Sequence, residues 1–238
     1  IEQKPREDWG LTSTICDAVE KHRVIDPEIH PESGEIHMGE VIDTLAEVSG
    51  KNALIVTDVG QNQMWSMHCL DIRRPRQFIT SGSFGTMGFG LPAAIGAKIG
   101  RPDRQVCCLV GDGGIQMVIQ ELGTIMQEGT GVKIVLLNNN WLGNVRMWQE
   151  LFYDERYSYN RMINPDYSLI ASAYGIKYRQ VEKREELKEA IEEMLSDDKP
   201  YILDAHVLEE GMVFPMIPPG KNVNEIMLNN DDWFDYGE

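Results

Sequence analysis

The chain has 238 residues, 42% hydrophobic and 25% charged, the balance of an ordinary globular protein long enough to bury a core. Its net charge of −16 argues against a phosphate-backbone binder, and no apolar run approaches the roughly 20 residues of a membrane-spanning helix. The polar start resembles neither a signal nor a transit peptide, and four cysteines without C-x-x-C spacing fit a reduced, cytoplasmic protein.

Residues 1–37 read as a linker or N-terminal extension, in which Trp9, Leu11 and Ile15 are interrupted by Pro5, Pro27 and Pro31. A regular domain is expected over 38–210. Val41, Ile42, Leu45 and Val48 recur at helical spacing before Gly50, and Ala53–Thr57 is a short apolar run of the buried-strand type. The alternation continues with a helix over Gly88–Gly100, a strand over Val106–Val110, and a helix from Ile115 to about Glu128. That last helix has an apolar face of Ile115, Val118, Ile119, Leu122, Ile125 and Met126. Lys133–Leu137 is the next strand, followed by helices near Asp166–Tyr174 and over Arg184–Leu195, and a strand over Tyr201–Ala205. Residues 211–238 form a tail with an acidic end expected to fray. Strand–helix alternation implies an α/β fold, a doubly wound and mostly parallel sheet with helices on both faces. Ligands then sit at the carboxyl ends of the strands, which points to the loops over Asp58–Met64, Ser81–Gly90, Gly111–Gly114 and Asn138–Gly143.

Gly111-Asp112-Gly113-Gly114 after one strand and Asn138-Asn139 after the next carry the chemistry. The glycines let backbone approach a ligand closely, and a helix N-terminus offers free N–H groups to an anion. Asp112 and Asn139 supply hard oxygens that suit Mg²⁺ bound together with phosphates, and such a cation would reconcile a diphosphate with an acidic protein. Either piece alone is ordinary turn chemistry; together, on consecutive strands, they make a cation–diphosphate site the better reading.

Gly-Asp-Gly followed by Asn-Asn resembles the signature of thiamin-diphosphate enzymes. The segments Ile79–Gly82, Gly85–Gly96, Asp58–Trp65 and Leu142–Gln149 are similar to acetolactate synthases in order and spacing, from about Gly39 to Pro215. The resemblance implies that Asp112, Asn139 and the main-chain carbonyl of Trp141 ligate Mg²⁺. It implies that Met87 wedges between the two cofactor rings and holds the cofactor bent, its catalytic role. It places Gly60, Gln61, Asn62, Gly85, Gly113, Gly114 and Gly143 beside the cofactor, and Val145 and Trp148 along the substrate channel. Asn62 departs from the family's His and Asn144 from its Met, which leaves the pocket shape open.

The same resemblance implies condensation of pyruvate with pyruvate or 2-oxobutyrate, with loss of CO₂, in branched-chain amino-acid biosynthesis. It also implies FAD in the full-length enzyme, a homo-oligomer of at least two subunits, and leaves room for a regulatory subunit. The glutamate that activates the cofactor belongs to a different domain, so this chain is expected to be a C-terminal fragment carrying half a site, inactive alone. The alternative is the diphosphate-binding subunit of a two-subunit thiamin enzyme, of the 2-oxo acid:ferredoxin oxidoreductase or sulfopyruvate decarboxylase type. A third reading, from a different class, is a non-catalytic phosphate-binding module. His22, His30, His37, His68 and His206 lack metal-ligand spacing, and the acidic run Glu182–Glu193 reads as a solvated helix face.

Overall fold

The central strand segments are apolar almost without a break, and the reason is that both faces of their sheet are covered. A computed structural model describes residues 25–50 and 52–230. Most of the expected linker, with Trp9 and His22, and the expected frayed end from Asp231 lie outside the described residues. In chain order the helices are α1 (Asp26–Ile29), α2 (Met38–Val48), α3 (Gln61–Cys69), α4 (Gly90–Gly100), α5 (Asp112–Met117), α6 (Glu121–Glu128), α7 (Gly143–Phe152), α8 (Tyr167–Ala173) and α9 (Arg184–Leu195). The strands are β1 (Leu54–Thr57), β2 (Phe78–Ile79), β3 (Val106–Gly111), β4 (Val132–Asn138), β5 (Lys177–Val181) and β6 (Tyr201–His206). They form one sheet in the order β2-β1-β3-β4-β6-β5, with every neighbouring pair parallel.

Successive strand residues point to opposite faces, so the apolar runs fill two cores at once. Ile55, Cys107, Leu109, Val135 and Leu203 meet Ile42 and Leu45 of α2, Met147 and Leu151 of α7, and Leu187 and Ile191 of α9. Val56, Cys108, Val110, Ile134 and Ile202 meet Leu91 and Ala94 of α4, Leu122 and Ile125 of α6, and Ala171 of α8. Each fully buried aliphatic side chain contributes roughly 1.5–3 kcal/mol, which makes these two layers the main source of stability. Past β6 the chain folds back, and Val213, Met216 and Met227 are buried in the first core.

Two expectations are corrected. The helix expected over 115–128 begins three residues earlier, at Asp112, and is broken into α5 and α6 by a turn at Val118–Gln120. The turn forms where the loop before α4 presses on the helix: a Cβ on Gly88 would lie 2.8 Å from the Val118 side chain. It resets the helical phase, so Leu122 and Ile125 stay buried while Met126 turns outward at 58% exposure. The edge strand β5 was not anticipated, because its sequence Lys-Tyr-Arg-Gln-Val is mostly polar and only Val181 is buried.

Candidate functional site

Four segments meet at the carboxyl ends of β1, β3 and β4 and enclose a cleft of 230 Å³. Asp58, the residue after β1, is completely buried, and its two carboxylate oxygens accept the main-chain N–H of Gly88 (3.1 Å) and Gly90 (2.8 Å). Charge-assisted bonds of this kind fix the glycine-rich loop against the sheet. Gly90 must be glycine here, since a Cβ would lie 2.8 Å from the Asp58 main-chain nitrogen. The stapled loop carries Gly85 and Met87 to the cleft wall, where a Cβ on Gly113 would meet the Met87 methyl at 3.4 Å and collide with Leu142. Bare backbone at Gly113 is therefore part of the cleft floor.

Asp112 begins α5 and is 1% exposed. Its carboxylate accepts Asn164 Nδ2 at 2.7 Å and the Gly113 N–H at 3.1 Å. Burial nevertheless pushes this carboxyl up to about 6, outweighing the hydrogen bonds that pull it down, from the Asn164 side chain and from backbone N–H groups. A cation beside it would reverse that balance. Across the cleft, Asn140 takes the left-handed conformation (φ 58°), which asparagine tolerates better than most residues. The resulting turn brings the Trp141 N–H to Asn139 Oδ1 at 3.2 Å. Asn139 Nδ2 in turn donates to Gln61 Oε1 at 3.3 Å, and Gln61 Nε2 to the Gly211 carbonyl at 2.7 Å. A Cβ on Gly143 would strike Gln61 and Asn139 together. Gly60, Gln61, Asn62, Gly114, Trp141, Gly143 and Val145 all border the same cleft.

Trp148 does not border it: one turn along α7, its ring packs on Phe152 with centroids 5.0 Å apart. The amide oxygens of Asn62 and Asn144, both residues of the cleft wall, are buried without a hydrogen-bond partner. An unpartnered buried acceptor costs about 1–3 kcal/mol, so both positions are suited to a polar ligand or its water.

Sequence reasoning overlooked three residues. Asp58 anchors the Met87 loop. Asn164 donates through one amide nitrogen toward Asp112, Asn138 and Asn140 and accepts from Gln116 at 2.9 Å. Glu209 binds Asn140, Trp141 and Arg161. Asp58 opens a motif that was recognised; Asn164 and Glu209 are remote in sequence and gave no signal. Among the described residues no group of three or more His, Cys, Asp and Glu side chains could hold a metal ion; His37, for example, faces Glu28 at 2.9 Å. Any cation in the cleft must therefore be held by the mixed set of carboxylate, amide and carbonyl oxygens.

The model of the thiamine pyrophosphate enzyme C-terminal TPP-binding domain matches residues 58–205. The chain belongs to this family. Thiamine pyrophosphate is thiamin diphosphate, and the matched span runs from the Asp58 anchor through both arms of the cleft to β6. Similar curated proteins include acetolactate synthase isozyme 2 large subunit of Escherichia coli K12, 42% identical over 199 residues, or 83% of this chain and 36% of that protein. The acetolactate synthase large subunit of Parasynechococcus marenigrum is 44% identical over 82% of this chain and 31% of its own length. A probable acetolactate synthase large subunit of Methanococcus aeolicus is 44% identical over 85% of this chain and 33% of its own length. The chain spans about a third of the length of these relatives. They favour the acetolactate synthase resemblance over the two-subunit alternative.

Proposed function

We propose that this chain is the diphosphate-binding domain of an acetolactate synthase. In the assembled enzyme it would hold thiamin diphosphate and Mg²⁺ for the condensation of pyruvate with a second 2-oxo acid. The observation that carries this reading is the convergence of Asp112, Asn139 and the Trp141 turn on one cleft floored by Gly113 and Gly143. The donor set fits the group: hard oxygens for a cation, bare backbone for a diphosphate, and closed-off amide oxygens at Asn62 and Asn144. Thiamin diphosphate supplies the electron sink for losing CO₂ from a 2-oxo acid.

The chain's own residues bind and orient. Asp112, Asn139 and the Trp141 carbonyl would hold the cation, and Gly60, Gln61 and Asn62 would line the diphosphate end. Met87, fixed by the Asp58 staple, would pack against the bound cofactor, and Val145 on the cleft wall would shape the way in for substrate, with Trp148 behind it on Phe152. The acidic charge of the chain makes the cation necessary, because backbone N–H groups alone do not offset two phosphates beside a carboxylate.

The wider reading places residues 1–37 between domains, 38–210 as the binding domain and 211–238 as its tail, in a cytoplasmic, FAD-containing homo-oligomer of the branched-chain amino-acid pathway. No helix among the described residues is long and apolar enough to cross a membrane. Titration calorimetry of the chain with thiamin diphosphate in Mg²⁺, competed by ADP and by pyrophosphate, tests the core of the proposal. Weak binding that needs both Mg²⁺ and the thiazolium ring, with no turnover of pyruvate by the chain alone, is expected. Equal competition by ADP would replace it with a generic phosphate-binding module.

A further inference from the structure

The turn 139–142 would present two of the expected cation ligands, and it is held from outside by a residue that lies on a different segment. Glu209, three residues past β6, accepts four hydrogen bonds. Arg161 Nη1 donates to Oε2 at 2.6 Å and Nη2 to Oε1 at 3.4 Å, a two-pronged pair. Asn140 Nδ2 donates to Oε1 at 3.0 Å, and the Trp141 indole N–H to Oε2 at 3.3 Å. Arg161 also stacks over the Trp141 ring at 4.8 Å, with the Arg146 guanidinium 5.3 Å from the same ring. Backbone bonds close the frame: Leu142 N–H to the Asn160 carbonyl at 2.7 Å and Met162 N–H to the Asn140 carbonyl at 2.9 Å.

We propose that Glu209 is a positioning residue for the cation site. By gripping the side chains of Asn140 and Trp141 together with Arg161, it fixes the left-handed turn that carries Asn139 and Trp141 on the wall of the cleft that Asp112 also lines. This rests on the thiamin-diphosphate reading of the cleft.

Two features separate positioning from general stability. Glu209 and Arg161 are 41% and 52% exposed, and an ion pair at that exposure contributes only about 0–1 kcal/mol to folding. Two of the four bonds to Glu209 come from the turn itself, whose residue Asn140 has a positive φ, where a short segment needs outside support to keep its shape. Partners of metal ligands typically change affinity by roughly 10–100-fold when removed.

The test uses the full-length protein with saturating thiamin diphosphate, Mn²⁺ as the paramagnetic probe, and free Mn²⁺ read by electron paramagnetic resonance. Glu209→Ala should raise the Mn²⁺ dissociation constant by roughly 10-fold or more while moving the melting temperature of the cation-free protein by no more than about 2 °C. Trp141→Phe, which keeps the main-chain carbonyl but lacks the indole N–H, should weaken Mn²⁺ in the same direction. Glu209→Gln, which keeps an acceptor oxygen, should recover part of the loss. Unchanged Mn²⁺ affinity in Glu209→Ala, or a loss matched by a general fall in melting temperature, overturns the positioning role and leaves the binding site standing. Failure of the wild-type protein to bind Mn²⁺ with thiamin diphosphate removes the cation reading itself, and the role of Glu209 with it.

Discussion

Asp112 shows how one residue can be poor for the fold and right for a ligand. Its carboxyl is raised to about 6 mainly by burial, so the unfolded chain gives up that proton more readily than the folded one. Between about pH 4 and 6 the folded state therefore holds the extra proton, and this contribution to stability falls as pH rises through that window. Above it the ionised, buried carboxylate leaves a penalty of roughly 3 kcal/mol unless a cation sits beside it. Asp112→Asn should accordingly raise the melting temperature of the cation-free chain at pH 8, by the equivalent of about 1 kcal/mol, and flatten the decline between pH 4 and 6. It should also abolish the rise in melting temperature that Mg²⁺ with thiamin diphosphate gives the wild type. Thermal unfolding at pH 5 and pH 8, with and without Mg²⁺, reads both; a destabilised Asp112→Asn at pH 8 would show that its bonds to Asn164 and Gly113 outweigh the burial.

The decisive unit at the next scale is the strand end with the turn that follows it. Asp58 belongs to no helix or strand, yet it joins the end of β1 to the start of α4 through the Gly88 and Gly90 N–H groups. Asp58→Ala leaves both of those N–H groups buried without an acceptor, at about 1–3 kcal/mol each. We expect it to lower stability by about 3 kcal/mol, read by urea unfolding, and to release the Met87 loop so that limited proteolysis cuts between Ser81 and Gly90. A wild-type cleavage pattern would mean that the loop is held by its packing on α5 instead. Sequence patterning did well for elements whose faces are apolar: α2, α4 and α9, and the strands β1, β3, β4 and β6, were all legible within a residue or two. It failed at β5, which pairs only with β6 and carries a polar sequence, and at the break between α5 and α6, where a loop distant in sequence presses on Val118.

For the molecule as a whole, the parallel sheet sets the order of stability. β3 and β4 lie at its centre, and the adjacent Cys107 and Cys108 point into opposite cores, each completely buried. Burial pushes the Cys107 thiol up to about 12 and raises Cys108 well above the ordinary thiol value. Both should resist iodoacetamide at pH 8 in the folded protein and react only in denaturant, as mass spectrometry of peptides spanning Val106–Val110 would report. Modification of either under native conditions would mean that the sheet centre opens far more readily than two filled cores allow. The same centrality explains the site's position: the ends of β1, β3 and β4 are neighbours only because the sheet is parallel, so their loops emerge on one edge.

What the sequence determined by itself was local and periodic: apolar runs that must be covered on both faces, amphipathic helices between them, and glycines with acid and amide residues at strand ends. Those patterns were enough to name the loops over 58–64, 81–90, 111–114 and 138–143, because turn chemistry and strand order are written in neighbouring residues. Only the tertiary structure decided which distant groups serve them. Lys133, a charge within a strand, is fully buried because its ammonium reaches the Lys199 carbonyl at 2.6 Å and Asp197 at 3.3 Å. Asn164 and Glu209 bond cleft-wall residues from segments with no periodic signal, and Trp148, one turn from Val145, turns to Phe152 instead of the cleft wall. Contacts between residues far apart in the chain depend on how the layers pack, and no spacing along the sequence encodes them.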